Sequence, residues 1–295
     1  MRWHSVCLFA LAALAALNSV AVALETIALP IKPEDSLTWR EDYSAAIRHA
    51  TAQHEMLLVW FADPTKPGDN DKFAAAVLNS ADVRPLLAKM TLLKVSTTAT
   101  IEENDKQVPI VKARPFVEMQ GKPGIALVDL RDAKQKFHGR AVSVYPFQRG
   151  PITMAKLKIL CDLPAGTLTQ RTLIFAVRTH RASPQSAWSP HSTYLAAEAE
   201  KHSQHQASIN LQGHHNWGTR FQQINAGLGI GGAREVCAES WGGQTLLDAA
   251  EECVHSWSQS SGHWSSVSTR HAYFGYDMKR GTNGVWYATG IFAGR

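Results

Sequence analysis

Residues 57–78 read LLVWFADPTKPGDNDKFAAAVL. The stretch changes character twice. Met56–Ala62 is a short apolar run, MLLVWFA, with no helical period, and a run of that length bounded by turn residues is expected to be a buried strand. Asp63–Asp71, DPTKPGDND, concentrates Pro, Gly, Asp and Asn and is expected to be a loop. DKFAAAVLN (71–79) returns to helix-forming residues. A strand that passes through a loop directly into a helix is the opening of an α/β unit.

The flanks continue the alternation. DYSAAIRHATAQ (42–53) carries apolar residues at helical spacing, TLLKVST (91–97) and GIALVDL (124–130) read as strands, and GRAVSVYP (139–146) reads as a further strand. Strands separated by helices predict a partly parallel sheet. The chain of 295 residues suits one large domain or two ordinary ones, and 45% hydrophobic with 19% charged residues suits a packed core.

The first residues are set apart from this pattern. Arg2 precedes the apolar run VCLFALAALAAL (6–17), and Ala21-Val22-Ala23 supplies small residues suited to cleavage, so residues 1–23 are expected to be a secretory signal peptide. The apolar run is shorter than the ~20 residues of a spanning helix, and no later segment is long and apolar enough to span. The mature chain is therefore expected to be secreted or periplasmic. The net charge of +5 is not gathered into a dense Lys/Arg run, which argues against nucleic acid as a partner.

CDLPAGTLTQ (161–170) brings Pro, Gly and Thr together, and the domain boundary is expected there, with a first domain over 24–165 and a second over 166–295. Nine of the 13 histidines lie between His180 and His271. TLIFAVRTHRA (172–182) and STYLAAEAEKHSQHQAS (192–208) read as helices, followed by the Gly-rich NAGLGIGGARE (225–235). TLLDAAEECVHSW (245–257) is the clearest helix: Leu246, Leu247, Ala250, Val254 and Trp257 recur at three and four, and Thr245 with Asp248 forms a capping box. YFGYDMKRGTNGVWYATGIF (273–292) reads as a β-hairpin around a Gly/Asn turn.

On these residues the segment from about Trp39 to Leu160 resembles a thioredoxin-like domain. LLVWFADPTKPGDNDKFAAAVL is similar to that family's strand–loop–helix, and GKPGIALVD (121–129) to its proline-then-strand. The resemblance stops at the chemistry. Asp63-Pro64-Thr65-Lys66-Pro67 stands where a Cys-x-x-Cys would sit, so disulfide exchange has neither its attacking nor its resolving thiol.

From about Leu173 onward the chain resembles the CAP superfamily of SCP-like extracellular domains. The resemblance runs through LIFAVRTHRASP (173–184), YLAAEAEKHSQ (194–204), GHHNWGTRF (213–221), CAESWGG (237–243), WSQSSGHW (257–264) and the C-terminal hairpin. It implies a three-layer α-β-α sandwich with a central cleft. It also implies that His215, Glu239 and His263 meet in that cleft. His215 and His263 would be the ligands of a divalent metal such as zinc, or hydrogen-bonded residues of a metal-free cleft. Where many members carry a second glutamate after the helix tryptophan, this chain has Ser258, Gln259 and Ser260.

Two readings of function follow. One is a secreted binding or interaction protein whose cleft takes a metal, a lipid, a cell-wall component or a protein. The other is a metal-assisted hydrolase or peptidase using His215, Glu239 and His263, with Glu239 and His263 as its catalytic residues. One carboxylate can act as ligand or as base, hardly as both, which weakens the second. His214 is expected to face solvent. His202 and His205 are either a metal pair on one helix face or ordinary surface histidines. Trp217, Trp241, Trp257 and Trp264 are expected in the core or the cleft wall. Ser260 and Ser261 beside His263 lack any nucleophile-elbow context. Cys7 would leave with the signal peptide, so Cys237 and Cys253 are expected to pair and Cys161 to remain a thiol, the alternative being three free thiols.

Overall fold

In the computed structural model, which describes residues 37–294, every residue of the run Met56–Ala62 is buried within a strand. The signal-peptide reading, Cys7 included, and the first residues of the expected first domain lie outside the described residues. The elements in chain order are β1 (Trp39–Arg40), α1 (Tyr43–Gln53), β2 (Met56–Ala62), α2 (Pro67–Phe73), α3 (Arg84–Leu87), β3 (Thr91–Ser96), β4 (Thr100–Glu103), β5 (Lys106–Pro109), β6 (Gly124–Asp129), β7 (Ala141–Pro146) and α4 (Met154–Cys161). There follow α5 (Leu168–Thr179), α6 (Thr193–Ile209), α7 (Trp217–Leu228), β8 (Arg234–Glu239), α8 (Leu246–Ser258), α9 (Ser261–Val267), β9 (Tyr273–Arg280) and β10 (Trp286–Ala293).

The architecture is mixed α/β and α+β, as expected. A five-stranded sheet has the order β1-β3-β2-β6-β7, with β1, β3 and β2 parallel and β6 and β7 antiparallel. The unbroken apolar run of β2 is explained by burial on both faces. Leu57, Val59 and Phe61 pack with Ala46 and Ala50 of α1, whereas Leu58, Trp60 and Ala62 pack with Phe73, Leu157 and Leu173 on the other side. The loop after β2 is held by Asp63, whose Oδ1 accepts from the Thr65 amide and hydroxyl at 3.0 and 2.7 Å. Pro67 then starts α2, a position that does not need its missing N–H.

The second sheet is antiparallel, in the order β8-β10-β9, with β9 and β10 forming the expected hairpin. Val236, Ala238, Met278 and Ala288 face the side that includes α8, while Ile291 and Ala293 pack with Leu195 and Ala199 of α6 and Ile224 of α7. Helices thus cover both faces. Thr245 caps α8, accepting from the Asp248 amide, as its sequence predicts.

The described residues belong to one compact unit, and α5 lies at its centre. Gln170–Val177 are all buried, and one apolar cluster joins Leu127 and Val142 of the first sheet to Val236 and Met278 of the second. Arg171, 1% exposed, donates to Ser143 Oγ on β7 and to the carbonyls of Leu160, Leu163 and Pro164 at 2.7–3.0 Å. The core therefore continues across the stretch 161–170. Among the described residues no helix is long and apolar enough to cross a membrane.

The expected Cys237–Cys253 disulfide is not formed, and Cys161, Cys237 and Cys253 are free thiols. Strand alternation gives the reason. Val236 and Ala238 pack with Cys253 of α8, so Cys237 between them points through the opposite face of the sheet.

Candidate functional site

Strand β8 is an edge strand, and its open side is where the α6–α7 loop and α9 come together. Glu235 is paired with Ile291 in the ladder and faces the α6–α7 side. Its side chain is only 1% exposed. Three groups surround its carboxylate. His214 Nδ1 lies 3.0 Å from Oε1, His202 Nε2 lies 3.7 Å from Oε1, and an Arg220 guanidinium nitrogen lies against Oε2. The Arg220 contact is a charge contact without hydrogen-bond alignment, so Oε2 remains a buried oxygen with no aligned donor.

Charge states follow from these surroundings. Burial raises the Glu235 carboxyl, but the hydrogen bond from His214 and the charge contact with Arg220 outweigh it, and the group sits below the usual carboxylate range. An ionised carboxylate can only accept, so His214 Nδ1 carries the proton and donates. That leaves His214 Nε2 pointing at His263 Nε2, 3.4 Å away. Burial, reinforced by the neighbouring His214, lowers His263 and keeps it neutral at pH 7. His202 is 2% exposed, and burial pushes it down to about 4 despite the approach of Glu235. Being neutral, its Nε2–H donates to the Gly213 carbonyl at 2.9 Å, and its approach to Glu235 is not an ion pair. Cys237 Sγ lies 3.7 Å from His214 Nδ1, and burial followed by the Glu235 charge raises its thiol well above its ordinary value.

Two donor sets for a cation emerge. His202, Glu235 and Cys237 are buried and offer a nitrogen, an oxygen and a sulfur within 4.8 Å of one another, a group that could hold a metal ion. An ion there competes with the His202–Gly213 hydrogen bond, the protonated thiol and the adjacent Arg220 charge. The second set is His214 with His263. Two nitrogens bound to one tetrahedral ion at about 2.0–2.1 Å stand about 3.3–3.4 Å apart, and the two Nε2 atoms stand at 3.4 Å. His214 has in addition the carboxylate partner on its other nitrogen that orients metal-binding histidines.

The structure brings His263 against His214, sets His215 beside His202 on the α6 side, and leaves Glu239 apart. His215 turns toward α6, its ring 6.0 Å from His202 and 5.3 Å from His205, and its Nε2 is 3.3 Å from the Leu211 carbonyl. Glu239 is exposed at the far end of β8, four residues and about 13 Å along the strand from Glu235. His214, expected in solvent, is 42% exposed, yet both its ring nitrogens face site residues. His263 lies in the first turn of α9. The preceding turn is made by an extended Ser260, and Gly262 is helical with open space around it. Trp257 is wholly buried, as expected of an anchor, and Trp241, expected in core or cleft wall, is 70% exposed.

Glu235 and Arg220 were not singled out by the sequence, and His202 was weighed only with His205, as a metal pair or as surface histidines, whereas it is buried. His202 carried a usable signal: it falls with Leu195, Ala199 and Gln206 on the buried stripe of α6, spaced at four, three and four.

No family model matches the chain, and no curated protein matches it. Among solved structures the chain is similar to one described as "DsbH Oxidoreductase", at 15% identity, covering 42% of this chain and 83% of that chain, with a TM-score of 0.26. A likeness of that extent carries no conclusion about fold or chemistry here.

Proposed function

We propose that this chain is an extracytoplasmic ligand-binding protein whose C-terminal cleft holds a divalent cation of the zinc type between His214 and His263. The observation that carries the reading is the 3.4 Å approach of the two Nε2 atoms, the spacing that bonds of about 2.0–2.1 Å to one ion require. Glu235 supports it by holding His214 through Nδ1, which leaves Nε2 as the nitrogen turned toward His263, and His263 is neutral, the form that ligates. The CAP resemblance supports it as well, since GHHNWGTRF and WSQSSGHW are the stretches that supply the two histidines. The supporting carboxylate is Glu235 in place of Glu239. The signal-like residues 1–23 support an exported location.

An ion bound there supplies Lewis acidity and positive charge to a carbonyl or anionic ligand. The protein's own residues favour binding over hydrolysis. The Glu235 carboxylate is buried and committed to His214 and Arg220, so it is not free to take a proton from a reacting water.

Calorimetric titration of the full chain with zinc tests this. One ion per chain is expected, with His214→Ala and His263→Ala each losing more than the ~10–100-fold that removal of a supporting residue costs. His215→Ala should bind like the parent. Retention of affinity in His214→Ala with loss in His215→Ala would overturn the assignment.

A further inference from the structure

A cavity of about 670 Å³ opens where the turn Arg114–Met119, the β6–β7 loop, the first turn of α5 and strand β9 converge. Its size is that of small-molecule sites, roughly 300–1,000 Å³. Four cationic side chains line it, Arg114, Lys136, Arg140 and Lys279, against one carboxylate, Glu200. Glu200 is already neutralised: it accepts from Lys279 Nζ at 3.0 Å and pairs closely with Lys136. Lys279 also reaches the buried Asp277 at 3.2 Å, which fixes its ammonium in the wall. Arg114 and Arg140 are different. Both are exposed, and no carboxylate pairs with either among the described residues. Two guanidinium groups lining one cavity without a carboxylate partner leave planar donor forks that match carboxylate and phosphate.

Apart from Thr167 and Thr169, the other side chains of the wall are apolar. Phe137 is buried there, Leu168 is half-buried, and Val117 at 62% exposure is one of the few large apolar side chains left open to solvent. Charge at one part and apolar surface at another describe an amphiphile. We propose that this cavity binds an organic anion with an apolar body, its carboxylate or phosphate head between Arg114 and Arg140 and its chain along Phe137 and Leu168. The site shares no residue with the His214–His263 pair.

The test is calorimetry on the full chain with decanoate and decyl phosphate as probes, and with octanoate, decanol and inorganic phosphate as comparisons. Saturable one-to-one binding of decanoate or decyl phosphate is expected, the tighter of the two identifying the head group. Octanoate should bind more weakly, by about fourfold per methylene that the cavity buries. Decanol and inorganic phosphate should each be weaker by at least ~10-fold, since each lacks one half of the recognition. The double variant Arg114→Glu/Arg140→Glu should weaken decanoate by at least ~10-fold, whereas His214→Ala should leave it unchanged. Should that double variant fail to fold, Arg114→Gln/Arg140→Gln is expected to show the same direction. Decanol binding as tightly as decanoate, inorganic phosphate binding as tightly as decyl phosphate, or both arginine variants binding like the parent would overturn the proposal.

Discussion

Replacing Glu235 with Gln keeps the side-chain shape and removes the charge around which the site is arranged. The side chain is 1% exposed, and its partner Arg220 is 15% exposed. Two losses follow. The His214 Nδ1–H, now 3.0 Å from a carboxylate, would donate to a neutral amide, forfeiting part of the ~1.5–3 kcal/mol of a charged hydrogen bond. The Arg220 guanidinium would keep its charge and face an uncharged neighbour, and breaking a buried pair in this way costs ~3–5 kcal/mol. Arg220 retains some water, so the lower end applies, and the variant should lose about 3 kcal/mol of stability. Urea unfolding of the metal-free full chain reads this directly. Zinc affinity should fall ~10–100-fold in the same variant, because the His214 tautomer is no longer held by a charged acceptor. A cost under ~1 kcal/mol together with unchanged zinc affinity would refute the role given to Glu235.

Other outcomes follow from the rest of the molecule. Arg171→Met leaves a hydroxyl and three carbonyls without their donor but relieves the burial that pushes Arg171 down to about 10, so urea unfolding should show a net loss of about 3 kcal/mol. Fluorescence from Trp60 and Trp257, on either side of α5, should change in one transition if the shared core is cooperative. Burial pushes Asp277 up to about 6, above its unfolded value near 3.9, so the folded chain binds more protons. The Asp277 contribution to stability should therefore fall, by roughly 2–3 kcal/mol, as pH rises from about 4 to about 6, and Asp277→Asn measured beside the parent should lack that component. Peptide mapping without reductant should recover Cys237 and Cys253 unpaired, both alkylated only after unfolding because both are buried with raised thiols.

Much of the fold was legible because burial imposes a period. The strand β2 was read to its residue bounds, since a run packed on both faces is apolar at every position. Helix α8 was legible from its stripe and its cap, and the β9–β10 hairpin from aromatic strands around a Gly/Asn turn. The hairpin β4–β5 and the strand β8 were not read. Strand β8 follows a glycine-rich passage and carries Arg234, Glu235 and Glu239, so its alternation is masked by charge that the site requires. The site itself was legible to within one neighbour. His214 and His215 are adjacent on a loop that ends in a left-handed Asn216, φ 55°, and which ring turns toward β8 depends on backbone angles that composition does not encode. Glu235 and Glu239 lie on the same side of one strand, four residues apart, so alternation alone cannot choose between them. The paired-cysteine expectation weighed proximity in sequence and not strand parity, which sends Cys237 through the opposite face of the sheet from Cys253.

X-ray absorption at the zinc edge, measured on the zinc-loaded full chain, separates the two donor sets. A first shell of nitrogen and oxygen, with two imidazoles at about 2.0–2.1 Å that are lost in His263→Ala, is the result expected from ligation by His214 and His263. A sulfur at about 2.3 Å that persists in His263→Ala would instead assign the ion to His202, Glu235 and Cys237, and would contradict the proposed cleft site.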